Sequence, residues 1–428
     1  MRSLSELALQ PTPSSYTVAR VRVVDGLGNP MLQDGFVRIE GDRIAAVGPA
    51  ADLPAGVEAF EAPGLTLLPG LIDAHTHLFY SGFRSVDSIA TCSPELAALN
   101  SAANAWHVLR AGFTTVREVG TIGEVSVRLR DLVDRGELRG PRIVASGRII
   151  TASGGPLPGR PPGSEAGGFA VWADGPAEML KAVRQQLGAG VDNVKLMASG
   201  LELHPSIRTT DSVLTEAEIR VAVEEAHRWG RTVAVHCQSF EAATSALRAG
   251  ADTIEHGTRL DEESLGLFLS SRSVLVPTLS TLYSVLELGD SLGLLPKQRQ
   301  EMEENFPVWR RSLAAARKAG VPIAVGGDIG NRYPHGTNAR ELELLVREGF
   351  TPMEAMVAAT SMAARAVGRA ADLGTVQAGK LADMILVEGN PLADIKVLQD
   401  LDLIRLVIQG GRPVAGAELE QARLREHV

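Results

Sequence analysis

The chain has 428 residues and a formal net charge of −9 at pH 7. This length can bury a large core, and an acidic balance without any basic run argues against a nucleic-acid partner. Its two cysteines, Cys92 and Cys237, lie far apart, which argues against a disulfide framework and favours a reducing compartment. No apolar stretch approaches membrane-spanning length, and the first ten residues do not form a secretory signal. We expect a soluble, cytoplasmic protein without a membrane partner.

Both ends of the chain have the pattern of small β structures. The first 64 residues contain the segments VARVRVVDGLGNP and FVRIEGDRIAAVG, with turn residues at Gly26, 28–30 and 41–42. The tail continues in the same style with GTVQAGKLADMILVEGNP and LIRLVIQGGRPV. We predict one β-sandwich built from residues 1–64 and 372–428, with a catalytic domain, 65–371, inserted between them. The alternative is two unrelated β extensions.

Eight short apolar runs between these ends are typical of parallel strands buried on both faces. They are residues 71–77, 114–120, 141–147, 193–199, 232–238, 252–258, 273–279 and 322–328. Helical patterns separate them, most clearly at 214–230, where Thr215 and Glu218 form a capping box, and at 338–349. The alternation predicts an α/β fold, a (β/α)8 TIM-type barrel with its active site at the C-terminal strand ends. An open doubly wound sheet would need a glycine-rich phosphate turn after its first strand, and none is present.

Polar residues at the ends of the predicted strands indicate a metal site. His75 and His77 are two residues apart in LIDAHTHL, so both side chains project to the same side of an extended chain. Other predicted strands carry Lys195, His236, His256 and Asp328. Each of these alone has a structural explanation, such as a paired core lysine, a satisfied core histidine or a helix cap. Their recurrence at the ends of five strands favours metal binding.

Lys195 is the most unusual of these residues. It lies inside the apolar run VKLM, where an unpaired ammonium is costly to bury. A buried lysine can instead react with carbon dioxide to give a carbamate, whose two oxygens can bridge two cations. Four histidines, one carbamate and one aspartate are enough to hold two divalent ions with a hydroxide between them.

These motifs resemble the amidohydrolase superfamily in its binuclear, carboxylated-lysine form. PGLIDAHTHL is similar to the family's strand-one signature, and VKLMASG is similar to its carboxylated-lysine strand. Within the family, GADTIEHGTRLDEE, VPTLST, IAVGGDIG and HGTNARELELLV resemble the prolidase-like and imidazolonepropionase-like branch, which includes ochratoxin-type amidases. The closing GTVQAGKLADMILVEGNPL is similar to the family's last β segment, so the resemblance extends from residue 18 to residue 414.

The resemblance implies a hydrolase that cleaves an amide bond of a dipeptide, an N-acyl amino acid or an ochratoxin-like amide. The implied ligands are His75, His77 and Asp328 for one metal, His236 and His256 for the second, and carboxylated Lys195 between them. The expected ions are Zn²⁺, although other metals suit such a ligand set. A metal-bridging hydroxide attacks the carbonyl, and Asp328 carries its proton to the leaving group, with Lys195 and His256 acting at the same centre.

Candidate substrate contacts follow several of the predicted strands. They are Tyr80, Arg84, His204, Arg208, Gln238 and His335. Arg84 and Arg208 could clamp a substrate carboxylate. Gln238 stands where the branch commonly has a second histidine, and residues 154–156 read GGP where related dipeptidases have GGH, so neither position transfers a named specificity.

The Gly- and Pro-rich segment 151–176 contains Phe169 and Trp172 and is expected to be a structureless lid or binding loop over a bulky apolar acyl group. The alternative for this segment is a disordered surface insertion.

Other functions remain open at this stage. The same centre could serve a lactonase or esterase, or an imidazolonepropionase-like hydrolase of cyclic amides. A one-metal deaminase would have an ordinary residue in place of Lys195, and a non-enzymatic scaffold of this fold would have lost ligands. We expect a small-molecule substrate and a homo-oligomer.

Overall fold

The computed structural model describes residues 4–9, 14–82, 88–89, 91–160, 168–201, 204, 206–288, 295–330 and 333–420. Its strands are β1 (Ser15–Val23), β2 (Leu32–Glu40), β3 (Arg43–Pro49), β4 (Phe60–Glu61), β5 (Leu65–Pro69), β6 (Leu71–Thr76), β7 (Phe113–Glu118), β8 (Arg142–Ala145), β9 (Ile149–Thr151), β10 (Gly159–Arg160), β11 (Ala170–Trp172), β12 (Asn193–Met197), β13 (Thr232–Cys237), β14 (Thr253–His256), β15 (Val274–Val276), β16 (Met384–Glu388), β17 (Ile404–Gln409) and β18 (Arg412–Ala415). Its helices are α1 (Leu4–Leu9), α2 (Pro94–Arg110), α3 (Val125–Asp134), α4 (Gly175–Gly188), α5 (Glu216–Arg228), α6 (Phe240–Ala249), α7 (Glu262–Ser270), α8 (Leu279–Leu288), α9 (Pro296–Ala319), α10 (Arg340–Arg347), α11 (Pro352–Ala359) and α12 (Ser361–Ala366).

One mixed sheet is assembled from both ends of the chain, in the order β18-β17-β16-β5-β1-β2-β3. β5 joins the two halves, since it pairs antiparallel with β16 and parallel with β1. β5 follows directly after residue 64, the predicted domain boundary, and its hydrogen bonds belong to this sheet. Alternating apolar residues such as Val37 and Ile39 meet Leu67, Met384 and Leu406 in a core of their own.

Parallel strands form two further sheets. One has the order β6-β7-β8, and the other runs β10-β11-β9-β12-β13-β14-β15. Helices follow the strands and bury their apolar stripes, as α5 does with Ile219, Ala222 and Val223. The architecture is therefore α/β with parallel sheets. Within the described residues, no single closed sheet joins all eight predicted strands.

The eighth predicted strand, 322–328, differs from expectation, because it forms only one isolated bridge, between Ile323 and Leu275. It still lies between β15 and β6, since Ala324 N–H donates to the Leu275 carbonyl and Ala74 N–H donates to the Val325 carbonyl, both at 2.9 Å. Gly326 lets this segment lie closer to the neighbouring strands than a residue with a side chain could. A Cβ on Gly326 would lie 2.4 Å from Val276 Cγ1 and 2.7 Å from His75 Cβ.

The two clearest helix predictions have different outcomes at their starts. α5 begins after Thr215, and the capping box between Thr215 and Glu218 is present. α10 begins after Ala339 without a side-chain cap. The Asn338 amide does not cap this helix, because it donates to Asp73 Oδ2 at 2.7 Å. Among the described helices, none is long and apolar enough to cross a membrane.

The junction between β5 and β6 depends on a residue without a side chain. A Cβ on Gly70 would lie 2.1 Å from Thr114 Oγ1 and 2.6 Å from Thr114 Cγ2, and Thr114 is buried and β-branched. We expect Gly70→Ala to destabilise the protein by about 1–3 kcal/mol through overpacking. Thermal unfolding at fixed metal content measures this. Gly266→Ala is the matched control, because nothing lies within 4 Å of its Cβ and alanine favours the helix. Equal Tm values for the two variants would contradict the packing at this junction.

Candidate metal centre and pocket

The six predicted ligands line one pocket at the C-terminal ends of the parallel strands. They are His75, His77, Lys195, His236, His256 and Asp328. The Nε2 atoms of His75 and His77 each lie 3.7 Å from Asp328 Oδ1. One potential ligand atom from each of these three residues lies within 4.8 Å of the other two. These three side chains are therefore close enough to share one ion.

Each of the four histidines uses one ring nitrogen for a protein partner. The pairs are His75 Nδ1 with Glu255 Oε2 (2.6 Å), His77 Nδ1 with the Gly120 carbonyl (2.8 Å), His256 Nδ1 with Thr278 Oγ1 (2.6 Å) and His236 Nε2 with the Gly200 carbonyl (2.9 Å). The opposite nitrogen of each ring remains as the potential ligand. Such partners fix the ring orientation and the tautomer of metal-binding histidines.

The histidines are held in the neutral form that binds metals. Burial, together with the smaller effect of the nearby Lys195 charge, lowers the pKa of His77 and of His236 to about 3. Burial also holds the pKa of His75 and of His256 well below its ordinary range. A neutral imidazole keeps the lone pair that a cation requires.

Lys195 fits a carbamate site. The side chain is 2% exposed, and its Nζ makes no hydrogen bond within the described residues. Burial lowers the pKa of this amine to about 8, against the partly opposing charge of Glu255. A fraction of the amine is therefore neutral near physiological pH, and the neutral amine is the form that reacts with carbon dioxide. A carbamate there would face the same pocket as the histidines.

A buried polar layer supports the ligands, and the sequence analysis did not identify it. Asp73 accepts from the backbone N–H groups of His75 and Gly327, both at 3.0 Å, and from the Asn338 amide. Asp73 thus ties the first predicted strand to the eighth, while burial raises its pKa to about 6. Its position two residues before His75 was the available signal in the sequence.

Glu255 forms a fully buried pair with Arg117, with Arg117 Nη2 2.7 Å from Glu255 Oε1. Glu255 directly precedes His256 in sequence, which was the only signal for it there.

Two of the predicted ligands and the hydrogen-bond partner of one of them have left-handed backbone conformations. The φ angles are 67° at His256, 49° at Thr278 and 46° at Asp328. For non-glycine residues such conformations cost about 1–3 kcal/mol each and concentrate at functional sites. The Thr281 hydroxyl also donates to Asp328 Oδ2 at 3.0 Å, which fixes the carboxylate while Oδ1 faces His75 and His77.

The predicted substrate contacts are placed very differently from one another. Tyr80 lines the pocket and stacks on the His77 ring, with centroids 4.5 Å apart. Gln238 and His335 are buried, but neither is among the described residues that line the pocket, and His335 packs beside Gly330.

The two other described contacts lie away from the pocket lining. His204 Nδ1 accepts from the backbone N–H groups of Ser206 and Ile207. The Arg208 side chain is 66% exposed and pairs with Asp211 at 2.7 Å. Arg84 lies outside the described residues.

Apolar side chains form the rest of the pocket wall. They are Ile149, Leu157, Phe169, Met197 and Leu201. The segment 151–176 is not structureless as expected, because β11 pairs with both β9 and β10. This pairing buries Phe169 at the pocket, while Trp172 Nε1 donates to the Leu157 carbonyl at 3.1 Å. Residues 161–167 of this segment lie outside the described part of the chain.

The amidohydrolase family model matches residues 66–414. The chain belongs to the amidohydrolase family. Ochratoxinase from Aspergillus niger is 31% identical, with coverage of 92% of this chain and 85% of ochratoxinase. Its crystal structure has a TM-score of 0.85 at 28% identity and covers 94% of this chain and 96% of that one.

Two other relatives support the same branch. A crystal structure of an Xaa-Pro dipeptidase with bound methionine in its active site has a TM-score of 0.85 at 30% identity, covering 94% of this chain and 100% of that chain. Imidazolonepropionase from Geobacillus kaustophilus is 26% identical over 90% of this chain and 91% of its own length. The amidohydrolase is therefore of the prolidase-like and imidazolonepropionase-like branch, a hydrolase acting on C–N bonds whose relatives imply a TIM-like barrel with an extra domain.

Replacing Lys195 should separate metal binding from folding stability. Lys195→Met keeps an apolar stem and removes a buried amine that makes no hydrogen bond to the described part of the chain. We expect a higher Tm than wild type when both proteins are metal-free and free of bicarbonate. The folded-state pKa, about 8, lies below the ordinary 10.5, so the ammonium destabilises the folded state fully below pH 8. The Tm advantage of the variant should therefore fade as pH rises from 8 towards 10.5. A lower Tm for the variant across this pH range would contradict the claim that the buried ammonium destabilises the folded protein.

Proposed function

We propose that this amidohydrolase is a binuclear metal enzyme that cleaves an amide joining an apolar acyl or aminoacyl group to an amino acid. Dipeptides, N-acyl amino acids and ochratoxin-like amides have this bond. The observation that carries the proposal is the convergence on a single pocket of four neutral histidines, one carboxylate and one buried amine that has no hydrogen bond to the described residues. Such a set has the ligand types and the number that two divalent ions need.

The proposed ligands divide into two groups. His75, His77 and Asp328 would hold one ion, His236 and His256 would hold the other, and Lys195 as a carbamate would contact both. When bound, two divalent ions, most simply Zn²⁺, supply Lewis acidity and a hydroxide at neutral pH. The protein side chains then orient the substrate and move protons.

Asp328 is the proposed proton carrier. Its carboxylate lies in the pocket beside His75 and His77, where an attacking water must approach the substrate carbonyl. The Thr281 hydroxyl holds the other carboxylate oxygen and so limits rotation of the group. We infer that Asp328 accepts a proton from the attacking water and delivers it to the departing nitrogen.

We further infer that the parallel strands and the segment 322–328 together make the (β/α)8 barrel, 65–371. Backbone hydrogen bonds on both sides of that segment support this, since they reach Leu275 and Ala74 on the flanking strands. The small β domain would then consist of residues 1–64, β5 and residues 372–428, which share one mixed sheet, so β5 passes to it from the predicted barrel range.

The walls of the pocket favour an apolar acyl group. Ile149, Leu157 and Phe169 line the same pocket as the polar ligands, so an acyl chain whose carbonyl lies at the ligands would have apolar contacts within reach. The relatives agree with this substrate class, since one is an ochratoxinase and another is an Xaa-Pro dipeptidase with bound methionine. Of the predicted carboxylate clamp, Arg208 is already paired with Asp211, and Arg84 stays a prediction.

Asp328→Asn should lower kcat by at least about a hundredfold, because the amide can neither accept nor return the proton. Stopped assays of amide hydrolysis, with metal content measured in the same samples, test this. Asp372→Asn is a matched control, since Asp372 is an exposed acid paired with Arg43 and Arg369. If Asp328→Asn kept near-normal turnover with its metals bound, the proton carrier would lie elsewhere, and His335 would be the next candidate.

Phe169→Ala should lower kcat/KM for N-acyl amino acids with an aromatic acyl group by about 10–200-fold, the usual effect of losing an apolar pocket contact. The N-acetyl analogue should change little, because it cannot reach the wall. The same panel should include dipeptides, C-terminal amides and lactones. A strong preference for lactones over every amide would show that the enzyme is an ester hydrolase. If Phe169→Ala lowered kcat/KM equally for the aromatic acyl and the N-acetyl substrates, Phe169 would not contact the acyl group.

A further inference from the structure

The four histidine ligands differ in the charge of the group behind them. His77, His236 and His256 have neutral partners, which are two backbone carbonyls and one hydroxyl. Among the described residues, a carboxylate hydrogen-bonds to the ring nitrogen facing away from the metal position only at His75, where Glu255 Oε2 is 2.6 Å from Nδ1. A carboxylate behind an imidazole makes the opposite nitrogen a stronger donor to a metal.

Glu255 is fully buried, and both of its carboxylate oxygens have hydrogen-bond partners. Its side chain has no solvent exposure, and its second oxygen, Oε1, accepts from Arg117 Nη2 at 2.7 Å and from the Thr253 hydroxyl. A guanidinium is always protonated in proteins, so Arg117 supplies the countercharge that a buried carboxylate requires.

Arg117 connects this pair to the backbone around the ligands. It donates from Nε to the Ala74 carbonyl at 2.7 Å, and from Nη1 to Thr253 Oγ1 at 2.9 Å and to the Ala366 carbonyl at 3.1 Å. Ala74 immediately precedes His75 on β6. The pair therefore fixes both the ring of His75 and the strand that carries it.

We propose that Glu255 and Arg117 are positioning residues that make the two metal positions unequal. The position formed by His75, His77 and Asp328 binds its ion more tightly than the position formed by His236 and His256. This inference rests on the proposed binuclear function. The tighter position combines a carboxylate-backed histidine with the Asp328 carboxylate, whereas the other position has only neutral imidazoles with neutral partners, and Lys195 is common to both.

At the weaker position, the partner behind His256 is an uncharged hydroxyl. His256 and the residue behind it, Thr278, both have positive φ angles. Their hydrogen bond, 2.6 Å between Nδ1 and Oγ1, orients the ring without adding charge. Thr278→Val keeps the size and shape of the residue and removes this partner, so it is the matched control for the second position.

Zinc titration of the metal-free enzyme, in competition with a chromophoric chelator and with bicarbonate present, tests the proposal. Wild type should bind two ions in separate steps at least about tenfold apart in Kd. Glu255→Gln should weaken the tight step by about 10–100-fold and leave the weak step nearly unchanged. Thr278→Val should raise the Kd of the weak step and leave the tight step nearly unchanged. Co²⁺ absorption bands in the one-ion form should change in Glu255→Gln and not in Thr278→Val.

The single Glu255→Gln variant leaves a buried guanidinium without its countercharge, so we expect its metal-free form to be destabilised. The double variant Arg117→Met/Glu255→Gln removes the charge as well, and metal-free Tm values identify which variant is folded. Loss of the tight step in a folded double variant supports the proposal. Equal weakening of both steps would reduce the pair to a structural role and overturn it.

Wild type provides a test that no variant can obscure. Two ions bound with the same affinity would overturn the inequality and leave the binuclear enzyme standing. Fewer than two ions at saturation would overturn the binuclear assignment and this inference together.

Discussion

The site depends on a buried amine for which the described part of the chain supplies no hydrogen-bond partner. This amine is Lys195 Nζ, and its charge lowers the pKa of neighbouring histidines that are already kept neutral by burial. In the absence of cations this group of side chains is unfavourable to assemble. Two divalent ions and a carbamate would convert the unfavourable contacts into ligand bonds. Metal binding should then contribute directly to the stability of the folded state.

The surrounding fold keeps these side chains in place before any ion arrives. Asp73 joins the first predicted strand to the segment 322–328, and the Glu255–Arg117 pair joins β6, β7 and β14 beneath the pocket. Left-handed conformations at His256 and Asp328 turn the chain where the ligands leave the strands. Preorganisation of this kind removes most of the reorganisation that binding would otherwise require.

Local patterns in the sequence predicted the part of the site that follows from strand geometry. The two-residue spacing of His75 and His77 fixes their common side, and the apolar run around Lys195 marks a buried strand. Family resemblance then supplied the pairing of ligands with metals. The capping box at Thr215 was also predictable, because it is a local interaction.

Non-local contacts account for what the sequence did not predict. Arg117 and Glu255 are 138 residues apart, and no periodicity relates them. Asn338 is a residue type that often caps a helix, but its amide donates to Asp73, 265 residues away. The segment 322–328 has the apolar pattern of a strand, but it forms one isolated bridge, and Gly326 lies closer to His75 than a side chain would allow.

The sequence also did not predict the partner of Arg208. This arginine follows a ligand-bearing strand and was expected to bind a substrate carboxylate, but its guanidinium forms an ion pair with Asp211.

On the proposed function, six converging side chains hold two ions bridged by carboxylated Lys195. A crystal structure of the protein purified with zinc and bicarbonate, with anomalous data at the zinc edge, would show this arrangement. We expect two anomalous peaks in the pocket and carbamate density continuous with Lys195 Nζ. A single peak beside an unmodified lysine, in crystals of active enzyme, would contradict it.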